Sequence, residues 1–141
     1  KIQEPMVSCV NTVAQHAAIT ALLGPLDCVH EMLDHYRRRR DLAARLAAEH
    51  GLTVSYPHGA FYMLIDISGQ PLDSIEFSCN LLESEHVAVA PGSSFGSLCD
   101  RYIRISLCAN EETLTEGFAR LARYLRSVSA PVEAACMAQT V

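Results

Sequence analysis

At 141 residues, half of them apolar, the chain is long enough for one domain with its own core and has no need of disulfide staples. Eleven basic residues against 16 acidic ones leave a formal charge of -5, which disfavours non-specific attachment to nucleic-acid phosphates or to an anionic membrane surface. No window approaches the roughly 20 continuous apolar residues of a membrane span, and the N-terminal residues carry no charged-then-apolar signal pattern, so a cytoplasmic protein without nucleic-acid or membrane partners is expected.

The first predicted element is a helix from Asn11 to Leu23, where alanines, Val13, Ile19, Leu22 and Leu23 recur at helical spacing until Gly24-Pro25. So apolar a segment is expected to be mostly buried. Asp27 is placed to cap a longer helix reaching about Glu49, with Val29, Met32, Leu33, Tyr36, Ala43, Leu46 and Ala47 on its core side and His50-Gly51 as its stop. The period then changes. Thr53 to Tyr56 is β-prone, Pro57-His58-Gly59 makes a turn, and Phe61, Met63, Ile65 and Ile67 alternate with Tyr62, Leu64 and Asp66 as a strand with one buried face. Asp73 with Glu76 resembles a capping box and predicts a helix to about Glu85 that buries Ile75, Cys79 and Leu82. A short strand over Val87 to Ala90 and a loop over Pro91 to Gly96 precede a last strand, in which Ile103, Ile105 and Leu107 alternate with Tyr102, Arg104 and Ser106. Asn110 caps the final helix, Glu111 and Glu112 suit its positive end, and Leu114, Phe118, Leu121 and Leu125 line its core side. From Ser129 onward no period is sustained, and residues 129–141 are expected to form a disordered tail. The order of elements predicts an α+β fold: a small, mostly antiparallel sheet covered by helices on one side.

Few residues carry an obvious chemistry. The six cysteines, Cys9, Cys28, Cys79, Cys99, Cys108 and Cys136, form no C-x-x-C pair and none is spaced with histidine as a zinc site requires, so buried free thiols are expected and no metal. Arg37 to Arg40 point around most of a helix circumference at about 100° per residue, which makes a solvated helix and no nucleic-acid patch. The loop Pro91 to Gly96 lacks the G-K-[ST] of a P-loop, and no G-x-S-x-G or H-E-x-x-H occurs. Arg104 stands out, because a guanidinium on a strand offers a rigid planar fork for a carboxylate. Pattern alone leaves that reading open beside a plain solvated strand arginine.

Five segments read together resolve the choice by resemblance. Asn11-Thr12-Val13-Ala14-Gln15, Tyr36 to Leu42, Pro57-His58-Gly59-Ala60-Phe61-Tyr62, Val87 to Gly96 and Tyr102-Ile103-Arg104-Ile105-Ser106 closely resemble, in order and spacing, the class I and II pyridoxal-phosphate aminotransferases of fold type I. The resemblance implies that Arg104 binds the α-carboxylate of an amino acid or 2-oxo acid, with Phe61, Phe95 and Gly96 as possible lining of the substrate site. It also implies amino-group transfer with pyridoxal 5′-phosphate in a homodimer.

The family's Schiff-base lysine, its pyridine-pairing aspartate and its phosphate-binding residues would precede position 1. No catalytic, cofactor-binding or metal-binding residue is therefore expected here. Lys1, the only lysine, matches a helix position downstream of the catalytic one. Residues 1–24 would be a helix packed on an absent large domain and 25–128 the small C-terminal domain, inactive alone. A free-standing carboxylate-binding module and a related fold type I lyase or synthase remain as alternatives.

Overall fold

The computed structural model describes residues 2–129. It divides into two compact units, one ending at His35 and one beginning at Tyr36. The first contains helices α1 (Gln3–Val7) and α2 (Thr12–Leu23) and the start of α3 (Asp27–Glu49). Asn11 caps α2 as its sequence position demands: its side-chain oxygen accepts from the Ala14 N–H at 2.8 Å. The expected burial of α2 is not found, for none of its residues is buried and Leu22 and Leu23 are 81% and 83% exposed. Its apolar residues surround the axis instead of forming one stripe, the pattern of a helix meant to be enclosed from several sides, and this unit supplies no such enclosure. The same correction applies to Val29, Met32 and Leu33, which are exposed. Asp27 is the first helical residue and not the cap: the carbonyl of Leu26 accepts the opening bonds from Val29 and His30.

In the second unit α3 ends where the glycine is. Gly51 takes φ +70°, and the Leu52 N–H returns to the Ala47 carbonyl at 2.8 Å, closing the helix in a Schellman turn. Strands β1 (Val54–Ser55), β2 (Tyr62–Asp66), β3 (Ala90–Pro91) and β4 (Tyr102–Ser106) make one antiparallel sheet in the order β1-β2-β4-β3. Met63 and Ile65 on β2, Ile103 on β4, and the flanking Ile67 and Leu107 are buried on one face. Over them lie Ala43, Leu46 and Ala47 of α3, Phe77 and Leu81 of α4 (Ser74–Glu85), and Leu114, Phe118, Leu121 and Tyr124 of α5 (Glu111–Ser129). The α+β expectation of a small sheet with helices on one side is met.

Three local readings need correction. The buried face of α4 carries Ser74, Phe77, Ser78 and Leu81, while Ile75, Cys79 and Leu82 are exposed. Both faces hold apolar residues, and the larger Phe77 wins the core. The serines follow it inside because Ser78 donates to the Ser74 carbonyl at 2.7 Å, leaving no unsatisfied hydroxyl. The strand expected over Val87 to Ala90 is paired only at Ala90 and Pro91, and Val87 and Val89 pack on the core from outside the ladder. The cysteines are free but not buried: Cys9, Cys28, Cys79 and Cys108 are exposed and Cys99 half-buried, all off the core-facing stripes. Cys136 and most of the expected disordered tail, positions 130–141, lie outside the described residues.

Candidate functional site

β4 lies between two partners, and Arg104 lies mid-strand, opposite Leu64 of β2 on one side and Ala90 of β3 on the other. The alternation that sends Ile103 into the core sends Arg104 to the helix-free face, where it is half-buried. Two rings lie against its guanidinium, with the carbon 4.0 Å from the centroid of Tyr62 and 4.1 Å from that of Phe95. Among the described residues no carboxylate or carbonyl bonds it. Arg101, three residues earlier, shows the contrast. Its guanidinium donates to the carbonyls of Ser68 at 2.9 Å and Gln70 at 2.6 Å and is consumed in holding a loop.

The expected lining residues take different places. Phe95 stands on a 3-10 turn, Gly92–Phe95, that the reading of this segment as plain loop did not anticipate. Gly96 follows at φ +111°, a conformation that favours glycine, so it shapes the turn's exit and offers no side chain. Phe61 leaves the buried face on which its alternation had placed it and is 37% exposed. Its predecessor Ala60 has φ +60°, which breaks the strand's phase there. Phe61 tilts against Tyr62 at 4.5 Å and stacks on Tyr36 at 5.7 Å, so Tyr36, Phe61 and Tyr62 form a row of rings ending on Arg104. Tyr62 was missed as a site residue. It shares Arg104's face by alternation, but the contact depends on strand register.

Gly92 was also missed, and it is the sterically stricter glycine of the turn. A Cβ there would lie 2.0 Å from the Cys99 carbonyl oxygen and 2.4 Å from that of Tyr102. The turn is also tied to α4: the Ser93 N–H donates to the buried Ser74 hydroxyl at 3.2 Å, and that hydroxyl lies 3.1 Å from the Ser93 hydroxyl. Gly92→Ala should therefore cost about 1–3 kcal/mol and shift Phe95 away from Arg104. An unchanged melting temperature would show that the turn opens without strain.

At the far end of the ring row the Tyr36 hydroxyl meets the Cys108 sulfur at 3.5 Å, and Arg39 donates to the Cys108 carbonyl at 3.0 Å. Hydrogen bonding with Ser106, then with Tyr36, holds the Cys108 thiol below the usual thiol range against the opposing effect of desolvation. The Tyr36 hydroxyl is pushed up, chiefly by that same bond to Cys108. No described group of three or more His, Cys, Asp or Glu could hold a metal ion, and no described helix is long and apolar enough to cross a membrane.

A small antiparallel sheet with helices on one face is also the architecture of fold type I aminotransferase domains. An aromatic aminotransferase from Pyrococcus horikoshii has this architecture, with a TM-score of 0.83 at 38% identity over 89% of this chain and 34% of that one. The family model for aminotransferase class I and II matches residues 1–121, and the chain belongs to that family. Similar relatives include a putative aminotransferase, YugH, from Bacillus subtilis, 37% identical over 92% of this chain and 33% of its own length. An aspartate aminotransferase from Rhizobium meliloti is 36% identical over 91% of this chain and 33% of its own length. The chain spans about a third of the length of the curated relatives it matches.

Aminotransferases of this family use pyridoxal phosphate. The described residues contain no lysine, so none of them can tether the cofactor as an imine, and they do not by themselves fit it.

Proposed function

We propose that the chain is the substrate-gripping C-terminal part of a pyridoxal-phosphate-dependent aminotransferase that moves an amino group between an amino acid and a 2-oxo acid. One observation carries the reading: a strand-mounted arginine with no anionic partner among the described residues, in a chain of this family. A carboxylate lying in the guanidinium plane can take two parallel, charge-assisted hydrogen bonds, which fix the substrate's orientation as well as its affinity. Arg104 is that fork, and Phe61, Phe95 and Gly96 border the space in front of it.

The cofactor, its anchoring lysine and the groups that bind its phosphate belong, in this reading, to a large domain outside the chain. Residues 1–24 pack on that domain, which accounts for the exposed apolar surface of α2, and residues 25–128 form the small domain of a cytoplasmic homodimer. The 141 residues alone are inactive.

The test is transfer itself. The full-length protein carrying this chain, supplied with pyridoxal phosphate and a panel of amino acids and 2-oxo acids, should yield new amino acid–oxo acid pairs by mass spectrometry, and the isolated chain none. Ammonia release without a new amino acid would assign a lyase instead. Transfer by the isolated chain would refute the division of labour.

A further inference from the structure

Arg104 faces Leu64 across the β2–β4 ladder, so Tyr62, two residues back on β2, is its diagonal neighbour on the same face. On the other side of β4, β3 runs directly into the turn that carries Phe95. The two rings thus reach the guanidinium from elements on opposite sides of its strand, at nearly equal distances of 4.0 and 4.1 Å. All of a guanidinium's N–H groups lie in its plane, so rings placed over it take up no donor. Rings stacked over it would exclude water from its surface and resist its rotation, and no carboxylate among the described residues occupies its edge. Tyr62 is itself held by Phe61 at 4.5 Å, and Phe61 by Tyr36 at 5.7 Å.

We propose that Tyr62 and Phe95 are positioning residues that clamp the Arg104 guanidinium between them, so that a substrate carboxylate meets a pre-aimed, partly desolvated edge. The proposal rests on the reading of Arg104 as the carboxylate grip. It assigns Tyr62 a role in substrate binding and gives Phe95 a second role besides lining the site. A cation stacked on an aromatic ring gains more as water leaves, so the clamp reinforces itself when a ligand covers it.

The discriminating quantity is the preference for a carboxylate over its neutral amide, because contacts to the body of the ligand cancel in that ratio. Calorimetric titration of the full-length protein carrying this chain, with pyruvate and with pyruvamide, measures it. Tyr62→Leu should lower the preference roughly three- to thirtyfold, Tyr62→Phe should keep most of it, and Phe95→Leu should repeat the loss from the other side. Arg104→Leu should remove the preference altogether, and adding Tyr62→Leu to it should change nothing further. If Arg104→Leu removes the preference while Tyr62→Leu and Phe95→Leu leave it intact, the clamp is wrong and the carboxylate reading stands. If Arg104→Leu leaves it unchanged, or the wild type shows no preference, both fall.

Discussion

Under the proposed function, replacing Arg104 with leucine should weaken the apparent affinity of the full-length protein carrying this chain for its amino acid substrates by about a hundredfold, roughly 2.7 kcal/mol. Two charge-assisted hydrogen bonds are lost together, and water cannot restore their geometry. Leucine suits the position, since Leu64 stands directly across the ladder and the core lies on the other face, so the sheet should survive. The loss should be uniform over substrates, because the α-carboxylate is common to all of them. Arg104→Lys is the sharper companion: it keeps the charge and loses the planar fork, and should recover only part of the affinity. Michaelis constants across an amino acid panel decide the matter. Values unchanged in Arg104→Leu, or a loss confined to one side-chain class, would contradict the assignment.

The second large effect lies behind the sheet. Phe77 is fully buried and meets the Tyr124 ring edge-to-face, at 5.1 Å between centroids and 77° between planes. Phe77→Ala should cost about 3–5 kcal/mol through lost burial and the cavity left between α4 and α5. That is a large fraction of the roughly 5–15 kcal/mol by which such a domain is stable. The effect should also reach the site, since α4 begins at Ser74, whose hydroxyl braces the turn carrying Phe95. Urea unfolding followed by circular dichroism measures the first effect. A midpoint close to that of the wild type would mean that the cavity collapses without cost.

Much of this was legible in the chain because the relevant physics is local. Asn11, Asp73 and Asn110 cap the helices that follow them, each accepting a backbone N–H in the next turn, and Gly51 ends α3 in the left-handed conformation it alone adopts easily. The alternation around Ile103 and Met63 sorts the two sheet faces and puts Arg104 on the helix-free one. What was not legible depends on partners distant in sequence. Alternation gives a strand's faces but not its register, so Tyr62 could be assigned Arg104's face and not its contact. α4 carries apolar residues on two faces, and only the packed core shows that Phe77 and Leu81 outweigh Ile75 and Leu82. Gly92 reads like any other loop glycine until the carbonyls of Cys99 and Tyr102 close on it. The burial expected for α2 failed for a related reason: composition says that a helix wants cover, not where the cover comes from.

The interior place of β4 has a further consequence for Arg104. Hydrogen-bonded to β2 on one side and β3 on the other, the backbone that carries it loses its conformational entropy when the sheet forms, before any ligand arrives. A ligand gripped by Arg104, as proposed, would then have only the side chain's remaining rotations to restrict, and affinity that a loop-borne arginine would spend on its own ordering would be kept for the ligand.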